Sequence, residues 1–264
     1  YYRQPQIYIK LPSGGRYYPK EVFTPTETGE IPILPMTAKD EMAFKTPDAM
    51  INGQSTVDVI KSCVPNLLDP WRMVNYDTDA VLLAIRIATF GETMDVSYTI
   101  PGPDEQQTSS VNLPALLEDI NKIQIEDYAT TSKGFKVKIQ PLDYKTLTKV
   151  QIAKFEQQKM YGTINSSTLT EEQKQTAFSK SFETLNTVNF SLLLDSIQEI
   201  TTPDGAVVTD KQQIMDFVNN SDTKTVREIE GKLTALRLQA QMKPIKVKAT
   251  EEQIKKGVPA TFEV

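Results

Sequence analysis

A helix with no polar face can exist only where other elements cover it on every side, and this chain contains one. From Thr78 to Phe90, residues Ala80, Val81, Leu82, Leu83, Ala84, Ile85, Ile87 and Ala88 leave almost no hydrophilic stripe, so the helix is expected to be buried all round. Asp77 opens it and Gly91 stops it. The neighbouring segments must therefore wrap it, and Ile31–Gly91 reads as a folded interaction core that also holds the single Cys and the single Trp. Arg86 interrupts the apolar run. A side chain snorkelling to the surface is the simpler reading; a charge facing a partner is the functional one.

The segments around this helix mix two periodicities. Residues 1–35 carry six of the sixteen prolines, which break helices and favour edge strands or an extended arm. Ile7–Lys10 and Glu30–Leu34 alternate as strands do. Ser13-Gly14-Gly15 is a turn; the Lys-Ser/Thr and helix that a phosphate loop needs do not follow it. Thr37 with Asp40 starts a short helix, with Met42 and Phe44 as its apolar contacts. Thr46-Pro47-Asp48 stops the chain and restarts it, and Gly53 closes the short helix so begun. Ser55 with Asp58 repeats the start signal, placing Val57, Ile60 and Val64 on one face. Met94–Ile100 and Val111–Leu113 read as strands around a Pro101-Gly102-Pro103 loop, Pro114 begins a helix to Ile123, and Phe135–Ile139 is another strand.

Beyond Asp143 the pattern turns helical. Asp143–Met160 presents Leu147, Val150 and Phe155. Thr170 caps a further helix with Phe178, Phe182, Leu185 and Val188 at helical spacing, and Leu192, Leu193, Ile197 and Ile200 continue its apolar content. Thr201–Gly205 is a turn into a short strand at Val207-Val208. Thr209 with Gln212 forms a capping box before Ile214, Phe217 and Val218. In residues 222–242, Val226, Ile229, Leu233, Leu236 and Ala240 recur at three and four residues; packing within the same domain is the default, and docking of a partner helix is the alternative. Ile245–Lys248 and Thr261–Val264 read as strands flanking a helix over Thr250–Lys256. The fold class is α+β: an extended 1–35 region, an α+β core over 36–141 and a mainly helical 142–264 region ending in short strands. The absence of an initiating Met and the strand pattern at the end lead us to expect further residues at both termini.

Composition narrows the chemistry. The chain has no His, which removes the usual general base and the Ser-His and Cys-His pairs. With one cysteine, no internal disulfide and no cysteine zinc site can form, and Cys63 reads as a buried structural thiol. The net charge of -5 argues against a nucleic-acid footprint. No apolar run reaches the length of a membrane span, and no signal peptide is visible, so synthesis in the cytosol is expected. Asp40-Glu41 and Asp77/Asp79 sit at helix starts, where carboxylates complement the dipole. Asp216–Asp222 lacks calcium-loop spacing. No catalytic, metal or cofactor residue is expected, and no small-molecule substrate.

The runs Ile33–Glu41, Lys45–Gly53, Val59–Pro65 and Asp77–Gly91 resemble the baseplate hub subunits and hub assembly proteins of T4-type contractile-tailed bacteriophages, most clearly over residues 8–125. Some similar proteins carry cysteine pairs after this helix; Tyr98–Thr108 has none. The resemblance implies a non-enzymatic structural component of a tail baseplate hub that contacts other baseplate proteins, with self-association as a further option, made in the host cytoplasm and kept in the virion tail. An assembly chaperone absent from the mature particle is the alternative it leaves open. Candidate partner-binding residues are Tyr8, Tyr17, Tyr18, Arg86, Val226, Ile229, Leu233 and Leu236.

Overall fold

The computed structural model describes residues 3–45, 52–100, 106–166, 170–244, 246–255 and 258–263. Its fold is α+β: small antiparallel sheets with long helices concentrated in the second half. The N-terminal stretch is extended but folded in. Strand β1 (Ile7–Lys10) pairs antiparallel with β2 (Glu30–Ile33), Ile9 opposite Ile31. Ile9, Ile31 and Ile33 are buried in one core with α2 (Gln54–Cys63) and α3 (Asn75–Phe90). That core is the wrap the apolar helix requires. Ala80, Val81, Ala84 and Ile85 are buried, while Leu82, Leu83 and Ala88 stay partly accessible.

Local signals explain most element ends. Helix α1 (Ala38–Phe44) carries the reciprocal Thr37–Asp40 capping box, which satisfies two amide donors at once. Gly53 sits at φ 76° and precedes α2; the short helix expected before it lies outside the described residues, as does the loop expected at Pro101–Pro103. Two starts differ from expectation. Ser55 is not a cap but a buried position within α2, because Gly53 begins the helix. Helix α3 starts at Asn75, after an extended Val74. Met42, expected to be an apolar contact of α1, is 68% exposed, since only Phe44 reaches the core.

After α3, strands β3 (Thr93–Thr99) and β4 (Gln106–Asn112) form an antiparallel ladder. Helix α4 (Leu113–Asn121) follows at once, capped by the Asn112 side chain with Pro114 in its first turn. A four-stranded antiparallel sheet then runs in the order β5 (Tyr128–Thr130), β6 (Lys136–Ile139), β7 (Ile197–Thr201), β8 (Val207–Val208). Strand β7 is a correction: Ile197 and Ile200 continue the preceding apolar run in sequence, yet pair with Ile139 and Val137 of β6 instead of extending a helix.

Between β6 and β7 the chain inserts α5 (Tyr144–Ser166) and α6 (Glu171–Ser196). Helices α7 (Lys211–Asn220) and α8 (Thr223–Gln239) follow β8. Asp210, not Thr209, caps α7, because its carboxylate accepts the Gln213 amide. Val137, Ile139, Ile197 and Ile200 form the second core with Ile214, Val218, Ile229, Leu233 and Leu236. The described C-terminal residues add β9 (Lys246–Lys248), α9 (Glu251–Lys255) and β10 (Thr261–Glu263), with β9 and β10 antiparallel.

Candidate functional site

The most tightly built polar feature is internal. The turn Ser13-Gly14-Gly15 needs left-handed backbone at both glycines, φ 65° and 78°, and a Cβ on Gly15 would lie 2.8 Å from the Phe23 ring. This turn delivers the Ser13 amide to the buried Asp77 carboxylate at 2.8 Å, and the Ser13 hydroxyl bonds to the same group. The Tyr18 hydroxyl donates to Asp77 at 2.6 Å and accepts from the Val74 amide at 3.0 Å. Burial pushes the Asp77 carboxyl above its ordinary value, and the Ser13 and Tyr18 donors oppose that shift. Asp77 lies in the first turn of α3, as expected, but its oxygens tie down a segment more than sixty residues away. Tyr17 donates to Asp127 at 3.0 Å, and Arg16 lies 3.4 Å from the same carboxylate. At the extreme end, Arg3 donates to the Pro35 and Ser62 carbonyls and lies 3.5 Å from Asp40.

Asp79 contrasts with Asp77. Desolvation alone pushes its carboxyl up to about 6, and among the described residues it has no hydrogen-bond or ionic partner. Perturbed carboxylates mark catalytic sites when they share a cleft. A cavity of about 640 Å³ does lie between α4 and the end of α8, against Leu116, Ile120 and Met242. Neither Asp77 nor Asp79 lines it. No group of three metal-binding side chains occurs among the described residues. Cys63 is fully buried, and burial pushes its thiol up to about 11, which suits a structural role rather than a nucleophile.

The eight candidate contact residues separate. Tyr8 is 60% exposed on the outer side of β1. The Arg86 guanidinium lies 4.3 Å from the centre of the Phe90 ring, and its buried Nη1 has no hydrogen-bond partner among the described residues. Phe90 itself is exposed, so this pair forms a surface patch at the end of α3. Tyr17 and Tyr18 turn inward to Asp127 and Asp77. Ile229, Leu233 and Leu236 are buried in the second core, with Val226 partly buried beside them. Packing within the chain is thus what the α8 stripe does: the apolar side of β5–β7 needs a cover, and α8 provides it.

What sequence reasoning missed is a pair of exposed phenylalanines. Helices α5 and α6 lie antiparallel. Trp71 stacks on Tyr144 at 5.7 Å, and Leu142, Val150 and Leu192 close the base. Farther out, Tyr161 stacks on Phe178 at 5.4 Å, and the Ser181 hydroxyl bonds to the Gln157 side chain. Between Gln151 and Gly162, and between Glu171 and Ser191, Gln157 and Ser181 are the buried residues among those described. The hairpin therefore projects. Phe155 and Phe182, expected as internal contacts, are 55% and 61% exposed. Spacing alone does not reveal this: Phe155 has Gln151, Ile152, Gln158 and Lys159 three or four residues away, and Phe182 has Phe178, Ser179, Leu185 and Asn186.

The tightest polar contacts are thus internal ties between distant segments, and the exposed large apolar side chains are scattered over separate elements. The chain belongs to the T4 bacteriophage base plate protein family, whose model matches residues 4–263. Comparison with curated proteins and with solved structures gives no match. Among the described residues no helix is long and apolar enough to cross a membrane.

Proposed function

We propose that this protein is a non-enzymatic structural component of the tail baseplate hub, working through contacts with several other baseplate proteins. The observation that carries the reading is the family match over residues 4–263, and exposed apolar side chains on several elements are compatible with it. Tyr8, Leu68, Phe90, Phe155, Phe182 and Leu238 are each at least half exposed and sit on different elements. Family membership supplies the setting. The protein is made in the host cytoplasm and retained in the virion tail.

An assembly chaperone that leaves before maturation is the second reading. It is favoured by the projecting hairpin, an element able to clamp a client and release it. Affinity capture of the tagged chain from cells co-expressing baseplate proteins tests both. Stoichiometric hub proteins that stay bound through gel filtration support the structural role. Capture only of unassembled proteins supports the chaperone. Capture of none overturns both.

A further inference from the structure

We propose that the open edge of strand β4 pairs with an extended, Lys- or Arg-bearing segment of a neighbouring baseplate protein, which adds a third strand to the β3–β4 ribbon. The inference deepens the structural reading above and rests on it. The ladder itself shows which backbone groups are available. The Leu113 amide donates to the Glu92 carbonyl at 2.9 Å, so residues 92 and 113 form a hydrogen-bonded pair. In the unbroken register of β3 and β4, such pairs recur at 94/111, 96/109 and 98/107. Residues 106, 108 and 110 fall in the pairs between, and turn their amides and carbonyls away from β3. The Ser97 and Thr108 hydroxyls lie 3.2 Å apart, which fits the closer approach of such a pair. Gln106, Thr108 and Ser110 are exposed. Among the described residues, no backbone hydrogen bond joins their outward groups to another element.

This edge lacks the devices that keep a strand from pairing. Edges are blunted by short length, charge, proline or a bulge, and the other described strands at sheet edges carry one. Strand β1 ends in Lys10, and β2 holds Glu30 and Pro32. Strands β5, β9 and β10 have three residues each and β8 has two. Strand β3 carries an exposed Asp95. Strand β4 has seven residues, Gln-Gln-Thr-Ser-Ser-Val-Asn, with no charge and no proline, and its register has no bulge. Its inner side is anchored, since Val111 packs in one cluster with Ile87, Met94, Val96 and Leu117. The ribbon is thus held in place with its outer edge in water.

Backbone and charge together specify the occupant. A row of outward amides and carbonyls is matched by another extended backbone and not by a helix, whose own groups are already bonded. In sequence, residues 92–112 hold Glu92, Asp95, Asp104 and Glu105 and no Lys or Arg. A second copy laid on this edge would bring one acidic ribbon beside another, which is repulsive. Lys or Arg on the incoming strand is complementary to it. Asn112, which caps α4, ends the edge, so the paired segment is short.

Hydrogen exchange read at single amides, on the isolated chain and on the complex captured with co-expressed baseplate proteins, tests this. In the isolated chain the Thr108 and Ser110 amides should exchange at least about tenfold faster, relative to their intrinsic rates, than those of Ser109 and Val111. In the complex they should slow by at least about tenfold, together with an extended partner segment that carries Lys or Arg. Thr108→Pro removes an outward amide without touching a ladder bond of the ribbon. It is expected to abolish the slowing at Ser110 and to weaken capture with the circular dichroism spectrum unchanged, whereas Thr108→Ala keeps both. Thr108 and Ser110 amides that are already slow in the isolated chain, or that stay fast in the complex, overturn the proposal. So does a Thr108→Pro chain that pairs as well as the natural one, or an acidic partner segment. Slowing in the isolated chain that grows with its concentration makes a second copy the occupant and overturns it too. Capture with these amides unprotected leaves the baseplate reading standing, while capture of no baseplate protein overturns both.

Discussion

Replacing Asp79 by Asn is expected to stabilise the protein at pH 8 and to do little at pH 4. The Asp79 carboxyl is held at about 6 against an ordinary value of 3.8, and burial is the whole cause. The folded state therefore binds this proton more tightly than the unfolded state. Well below pH 4 both states are protonated and the group costs nothing; at pH 4 the unfolded carboxyl is partly ionised and the cost is about 0.5 kcal/mol. As the pH rises through 6, the folded state has to accept a buried, unpartnered charge, and above that the penalty is complete. A gap of about two units, at 1.36 kcal/mol each, comes to about 3 kcal/mol. Asn keeps the shape and removes the charge, so Asp79→Asn should gain up to about 3 kcal/mol at pH 8. Urea unfolding of both proteins at the two pH values, followed by circular dichroism, reads the difference. Asp77 titrates in both proteins, so its contribution cancels. A gain of equal size at pH 4 and pH 8, or a loss at pH 8, would refute the reasoning.

Two further substitutions or treatments probe the first core. Gly15→Ala should lower stability by about 2–4 kcal/mol, because the new Cβ adds a clash with Phe23 to left-handed strain, while Gly14→Ala pays only the strain, about 1 kcal/mol; equal losses in thermal melts would contradict this. Cys63 should resist a thiol reagent at pH 8 until the protein unfolds, since burial shuts out the reagent and leaves about a hundredfold less thiolate than an ordinary thiol. Modification of the folded protein at the rate of the unfolded one would place Cys63 outside the core.

How much of this was legible depends on the range of the interaction. The buried helix α3 could be read because its cause is local: a run of apolar residues with no polar stripe. The Thr37 and Thr170 caps could be read for the same reason, and the structure shows both boxes complete. Strand β7 could not. Ile197 and Ile200 follow Leu192 and Leu193 without a break, and only the pairing with β6, roughly sixty residues back, turns them into a ladder. The same holds for Asp77. Its place at a helix start is local, but its partners Ser13 and Tyr18 come from a distant turn. Phe155 and Phe182 failed in the opposite way. Helical spacing identifies which apolar side chains share a face, yet it does not say whether the chain itself supplies a cover. For Leu233 it does, through β5–β7; for the hairpin phenylalanines it does not.

The central claim, a permanent place in the baseplate, is tested most directly by quantitative mass spectrometry of purified mature particles of the source phage. The account predicts a few copies per particle in fixed ratio to the other hub proteins. Abundance in infected-cell lysate with none in particles would contradict it and make the protein an assembly factor.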